Sequence, residues 1–176
     1  MDLPFKISTL VFACGTDGRI LLLERRREPN RGCWSPPGGK LEMTRGESPV
    51  ECARRELEEE TGHGAAMEDF AVFGYVSEKA YAGTTHWLMF LVECRRPLAS
   101  LPPAIPEGRF GFFQRHEIDG LRLPPSDRRL VWPCYDRYRG GFIALRADFD
   151  GDGVLDCREE TRVLPSKSGN GLKPEA

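Results

Sequence analysis

Residues 27–63 restrict this chain more than any other part of it. They open with REPNRGCWSPPGG, residues 27–39, where three prolines and three glycines in thirteen positions preclude regular structure. A long loop is expected there. A helix follows, with its start and stop written into the sequence. Ser48 is an N-cap, Pro49 suits the first helical position, and Glu51 completes a capping box. Val50, Ala53 and Leu57 recur at helical spacing, and Gly62 ends the run. The fold must therefore hold a long loop against a short amphipathic helix.

That helix carries Glu56, Glu58, Glu59 and Glu60 within five positions. At about 100° per residue, positions i, i+3 and i+4 share a face. This groups Glu56, Glu59 and Glu60 and turns Arg55 and Glu58 elsewhere. Three carboxylates on one face repel one another unless a cation lies among them. An all-oxygen donor set suits Mg²⁺ or Mn²⁺ rather than zinc. The alternative is a solvated acidic face, offset by Glu51–Arg55 and Arg55–Glu59 pairs.

Around this segment, residues 6–14 and 19–25 are apolar and β-prone, with Gly15-Thr16-Asp17-Gly18 between them as a hairpin signal. Residues 69–77, 86–94 and 110–113 read as further strands, and residues 95–109 as a Pro-rich connection. Residues 126–139 form a second helix candidate with Val131, Cys134, Tyr135 and Tyr138 on one face. Pro133 predicts a kink or a late start there. Residues 1–143 read as one domain, 144–164 as a C-terminal extension and 165–176 as a disordered tail.

Hydrophobic residues make up 40% and charged residues 30% of the 176, a balance that lets one domain bury a core. A formal net charge of −2 gives no general attraction to polymeric nucleic acid or to an anionic membrane. The cysteines at 14, 33, 52, 94, 134 and 157 show no C-x-x-C pair and no zinc spacing, which fits reduced thiols in a cytoplasmic protein. The run ISTLVFAC is too short for a secretory signal, and Asp2 spoils a basic leader, so a first strand is expected.

The stretch from Gly39 to His63 resembles the Nudix hydrolase box, G-x5-E-x7-R-E-U-x-E-E-x-G-U with U aliphatic. Glu47 is followed by the seven residues SPVECAR. Arg55-Glu56-Leu57 then match R-E-U, Glu59-Glu60 match E-E, and Gly62 matches the closing glycine. Two positions depart from the pattern. Seven residues, KLEMTRG, separate Gly39 from Glu47 where the box has five. Thr44-Arg45 reads as an insertion that bulges outward and alters how the Gly39 carbonyl reaches a metal. His63 replaces the final aliphatic residue and is a candidate to cap the helix C-terminus.

The resemblance implies an α/β/α sandwich with a mixed β-sheet. It also implies metal-dependent hydrolysis of a diphosphate linking a nucleoside to another group. The implied metal set is Glu56, Glu59, Glu60 and the Gly39 carbonyl around Mg²⁺, with Mn²⁺ as a substitute. Glu47 and Arg55 would hold loop and helix together. The general base would be a box glutamate, Glu56 or Glu59, or else Glu107 on a distant loop. Arg25 would meet substrate phosphate, and Trp34, Trp87, Phe110 and Phe113 are stacking candidates for a base. The segment WSPPGGKLE is most similar to members that clean nucleoside triphosphate pools. Dinucleoside polyphosphate hydrolases, suggested by Tyr81, a non-catalytic nucleotide sensor and an isomerase on the same scaffold are the alternatives. The expected partner is a small nucleotide, and the expected state a monomer or homodimer.

One further pattern lies near the C-terminus. DFDGDGVLDCRE matches a calcium-loop spacing, with Asp148, Asp150, Asp152 and Glu159 at positions 1, 3, 5 and 12. The flanks are β-like, so a β-hairpin turning on Asp-Gly is the favoured reading and a Ca²⁺ loop the alternative.

Overall fold

Residues alternate across each strand with a period of two. In β1 (Phe5–Phe12), Phe12 enters one hydrophobic cluster, while Val11 and, just past the strand, Ala13 enter another. The structure, a computed structural model, describes residues 2–28, 30–150 and 153–166. β1 is followed by β2 (Ile20–Arg25), β3 (Trp34–Ser35), α1 (Pro49–Thr61), β4 (Phe70–Tyr81), β5 (Thr85–Cys94) and β6 (Gly108–Phe113). The chain then forms α2 (Arg115–Ile118), α3 (Trp132–Tyr138), β7 (Phe142–Asp150) and β8 (Gly153–Val163).

The strands form two sheets. One has the order β1-β5-β4-β7-β8, with β1–β5 and β4–β7 parallel and the other pairs antiparallel. The second is antiparallel, in the order β3-β2-β6. Ala53 and Leu57 of α1 pack on one side with Val11, Leu21 and Leu23. Trp132, Tyr135 and Tyr138 of α3 pack on the other side with Phe12, Leu22 and Phe73. Phe12 stacks on Tyr135 with ring centroids 4.9 Å apart. This is the expected α/β/α arrangement with a mixed sheet. Among the described residues, no helix is long and apolar enough to cross a membrane.

The expected hairpin between the first two strands exists only as a turn. Cys14 bridges Ile20, and the Leu21 N–H donates to the Ala13 carbonyl at 2.9 Å. Beyond that point β1 joins β5 while β2 joins β6, so the two strands diverge into different sheets. The Pro/Gly loop contains the two-residue strand β3, which the proline density hid. Pro133 delays α3, as its missing N–H requires. A single π-helical turn, Asp127–Val131, precedes it, and Pro133 falls in the first turn of α3.

The C-terminal segment is laid onto the main sheet rather than appended to it. β7 lies between β4 and β8, and its Ile143, Ala144, Leu145, Ala147 and Phe149 are all buried. Gly74 in β4 permits this, because a Cβ there would clash with the Ile143 carbonyl. The sheet therefore runs across residue 143, where a domain boundary was expected.

The hairpin reading of DFDGDGVLDCRE is the one realised: Asp150 pairs with Gly153 and Asp148 with Asp156. Glu159 pairs with Leu145, about 10 Å along the strand from Asp148 at the usual rise per residue. Its carboxylate accepts from the Tyr138 hydroxyl at 3.0 Å, and Asp148 accepts from Arg146 at 2.7 Å. Extended strands hold Asp148, Asp150 and Glu159 apart, so they do not form a calcium loop. Asp152 lies outside the described residues, as do residues 167–176 of the expected tail.

Because β7 is part of the core, Ile143→Ala is expected to cost about 2–5 kcal/mol in urea denaturation. An unchanged midpoint would mean that the segment is a removable appendage.

Candidate active site

Helix α1 is fixed at both ends as its sequence dictates. The Ser48 hydroxyl accepts from the Glu51 N–H at 3.3 Å, and the Glu51 carboxylate accepts from the Ser48 N–H at 2.7 Å. At the other end Gly62 takes φ 70° and donates to the Glu58 carbonyl at 2.8 Å. Burial of Cys52, Ala53 and Leu57 then fixes the helix rotation and the direction of each glutamate.

Arg55 lies at the centre of the site. The helical spacing turned it away, but its long side chain folds back across the turn. It makes a two-pronged bond with Glu47, Nε to Oε1 at 2.7 Å and Nη2 to Oε2 at 3.0 Å. Its Nη1 donates to Glu56 at 2.7 Å and to Glu59 at 3.2 Å, and Nη2 reaches the Lys40 carbonyl at 3.2 Å. Hydrogen bonding to Arg55 holds the Glu47 carboxyl below its ordinary range. The extra loop residues form an exposed turn, Met43–Arg45, closed by Gly46 at φ 66°. The bulge leaves Glu47 in register: its Oε2 also accepts from the Glu42 N–H at 2.7 Å.

The glutamate face is only partly convergent. Glu56 and Glu60 line one cavity of about 280 Å³ together with Arg25, Glu107, Leu23, Arg27, Glu28 and Gly38. The Glu59 side chain is 61% exposed and leans on Arg55 outside this cavity. Glu58 pairs with Arg54 at 3.2 Å. Gly39 is required by Glu56, since a Cβ at position 39 would occupy the space of the Glu56 carboxylate. The Gly39 carbonyl already accepts from the Thr9 N–H at 2.8 Å, and the Cys52 thiol lies at 3.7 Å.

Burial drives the electrostatics of this cavity. Desolvation, together with the charges of Glu56 and Glu107, pushes the Glu60 carboxyl up to about 8. The Gly38 N–H and Arg25 act in the opposite direction. Glu60 Oε2 is buried with no hydrogen-bond partner. Glu56 is likewise raised by burial, despite its bond to Arg55. These are acceptor oxygens short of positive charge, which is what a hard divalent cation supplies. Among the described residues no three acidic or other ligating side chains are drawn together as they stand. Arg55 holds Glu56 and Glu59 through one nitrogen and takes the position between them.

The other expected residues divide clearly. Arg25 and Glu107 reach the cavity from β2 and from the turn before β6. Phe110 does not. It is 6% exposed and packs in the α1-side core opposite Leu23. Trp34 is half-buried and pairs with Glu24, so it stands on the opposite face of the small sheet from Leu23 and Arg25. Its ring meets Phe113 edge-on at 4.8 Å and Arg109 at 5.7 Å. His63 contacts the Arg96 carbonyl at 3.2 Å instead of capping α1. The sequence reading missed the buried pair Glu78 and Asp127. The available signal was Glu78 two residues after the inward-facing Val76 on the same strand.

A carboxyl raised in the folded state is protonated there at pH values where the unfolded chain is ionised. Its contribution is therefore lost as pH rises from about 4.5 toward about 8. In metal-free buffer Glu60→Gln is expected to remove this slope and to exceed the native protein at pH 8 by on the order of 1–2 kcal/mol. Thermal denaturation with chelator at pH 5, 6.5 and 8 reads it. An identical pH slope in both proteins would contradict the assignment.

Comparison with known proteins agrees with this geometry. The Nudix domain family model matches residues 4–133. The uncharacterized Nudix hydrolase YvcI of Bacillus subtilis is 29% identical over 117 residues, covering 66% of this chain and 71% of that protein. An RNA pyrophosphohydrolase of Halorhodospira halophila is 30% identical over 135 residues, 77% of this chain and 65% of its own length. In fold, the chain superposes on the mutator MutT protein of Bacillus halodurans with TM-score 0.70 at 23% identity, covering 88% of this chain and 97% of that one. The chain belongs to the Nudix family and is a Nudix hydrolase, acting on pyrophosphate bonds.

Proposed function

We propose that the cavity hydrolyses a diphosphate attached to a nucleoside, with nucleoside triphosphates as the leading substrate class and Mg²⁺ or Mn²⁺ as cofactor. The observation that carries this reading is the desolvated Glu56–Glu60 pair, with an unpartnered Glu60 oxygen, facing Arg25 across one cavity. Glu56 and Glu60, joined by Glu59 if its side chain swings inward, would hold the cation. Once bound, a divalent cation there supplies charge neutralisation on the diphosphate and acidifies the attacking water.

The chain's own residues do the rest. Arg25, at the end of β2, offers a planar guanidinium to a phosphate. Arg55 keeps Glu47, Glu56 and the 39–47 loop in register, so that the acidic groups need no reorganisation when substrate arrives. Glu107 faces the same cavity and is free of helix constraints. It is our candidate to take the proton from water, with Glu56 and Glu59 as the other carboxylates in range of the chemistry. The pyrophosphohydrolase named among the relatives supports attack at a phosphoanhydride. A dinucleoside polyphosphate reading has less support, because Tyr81 packs edge-on against Phe149 at 5.2 Å as part of the core. A pure sensor has no need for a desolvated acidic pair, and all the box glutamates are retained.

Purified protein with Mg²⁺ and a panel of nucleoside triphosphates, dinucleoside polyphosphates and ADP-ribose tests this, with pyrophosphate and phosphate release followed. Glu56→Gln and Glu60→Gln are each expected to lower turnover about 100-fold or more while the fold is retained. Full turnover in both variants would reject the site. Nucleotide binding without any turnover would make the chain a sensor.

A further inference from the structure

The last strand of the main sheet is paired on one side only. β8 is outermost in the five-stranded order and bonds to β7 alone. The opposite edge of that sheet is closed. There the Thr9 N–H of β1 donates to the Gly39 carbonyl, and the Ile7 carbonyl accepts from the Leu41 N–H, so the end of the Pro/Gly loop covers β1. β8 has no such cover. Among the described residues one contact reaches its main chain from outside the sheet, Arg129 Nη1 to the Val154 carbonyl at 3.2 Å. Every residue from Asp156 to Leu164 is exposed, with Val163 at 56% and Leu164 at 68%. An eleven-residue strand with an open outer edge is a template for a further strand. It also lies outside residues 4–133, the span of the Nudix domain.

Charge is the usual guard of such an edge. Repulsion alone needs no particular order of charges, yet these have one. Residues 154–164 read VLDCREETRVL. Laid antiparallel on a second copy about a two-fold axis through Glu159, Asp156 meets Arg162 and Arg158 meets Glu160. Symmetry repeats each pair. Cys157 meets Thr161, and Val154 meets Leu164. Glu159 meets its like, but its carboxylate is already held by the Tyr138 hydroxyl at 3.0 Å and by Arg162 of its own chain at 3.4 Å. Neighbouring registers lose the match. An axis through Glu160 sets Arg158 against Arg162, and one through Arg158 sets Asp156 against Glu160. Like charges directly opposed are destabilising. Among the described residues neither the Arg158 nor the Glu160 side chain hydrogen-bonds within its own chain, and Arg158 acts only through its charge on Asp148.

We propose that β8 is a self-recognition edge: two copies of this chain pair antiparallel through β8, centred on Glu159, and join their main sheets into one. Backbone hydrogen bonds supply the affinity, and the ordered charges set the register. Register shifts in the β7–β8 pairing, between Ala144 and Leu145 and between Asp148 and Phe149, add twist and confine the contact to the middle of the strand. Such a contact is small, so the dimer is a weak, concentration-dependent one. None of these residues lines the hydrolytic cavity.

Sedimentation velocity of the full chain from about 5 to about 200 µM tests the edge. The native protein is expected to pass from monomer to dimer over this range. Arg158→Glu and Glu160→Arg should each weaken the dimer about tenfold or more, because each sets like charges opposite one another twice. The two together should restore it to within about threefold of native. Thr161→Cys places a thiol opposite Cys157 of the second copy. With oxidised glutathione it should give a disulfide between those two positions in different copies, read by mass spectrometry of the linked peptides. A native chain that stays monomeric throughout would overturn the proposal and leave the edge to another partner. So would single swaps that leave the dimer unchanged, or a dimer without the Cys157 link. If a swap variant fails to fold, the native concentration dependence and the Thr161→Cys link decide.

Discussion

The Arg55 guanidinium is the interaction on which the site depends. A single planar cation binds Glu47 with two prongs, Glu56 and Glu59 with one nitrogen, and the Lys40 carbonyl with another. Its hydrogen bonds keep it charged, chiefly those to Glu47. It joins the end of the Pro/Gly loop to the middle of α1. Without it, Glu47 and Glu56 would lie close together in a poorly solvated space with nothing to offset their repulsion. The loop tolerates two extra residues because they fall between the anchor points at Lys40 and Glu47.

Arg55 compensates Glu47, Glu56 and Glu59 and leaves Glu60 without a partner for its Oε2. Glu60 points into the cavity beyond its reach, and burial makes that carboxyl a reluctant anion. This imbalance separates a structural ion-pair network from a ligand site. The first is neutral within itself, and the second holds unmet acceptors toward a space large enough for a guest. Glu78 and Asp127 on the opposite side are likewise pushed up by burial, against which the Ser126 hydroxyl and, for Asp127, the charge of Arg25 act.

The glutamate helix was legible in the sequence because its signals are local. Capping box, proline, apolar stripe and closing glycine all act within four residues, and the helix runs from Pro49 to Thr61 as they require. The convergence of Glu59 was not legible. Helical spacing fixes where a Cβ points but not which neighbour captures a long side chain, and Arg55 captured Glu59. Phe110 and Trp34 show a second limit. Trp34 pairs with Glu24 and so stands on the face away from the cavity, while Phe110 pairs with Leu23 on the cavity's face but is buried in the core. The role of β7 was hidden for a similar reason. Its partner β4 lies some seventy residues away, and no local pattern records a parallel ladder.

The central claim is that Glu56 and Glu60 form a cation site held ready by Arg55. Calorimetric titration of Mn²⁺ into the native protein at pH 7, repeated in buffers of different ionisation enthalpy, tests it most directly. Because the Glu60 carboxyl is pushed up to about 8, it carries a proton at pH 7 that a cation must displace. Binding should release close to one proton per ion, roughly the fraction protonated one pH unit below that value, and Glu60→Gln should release none. Heat that does not vary with the buffer, or equal proton release from Glu60→Gln, would contradict it.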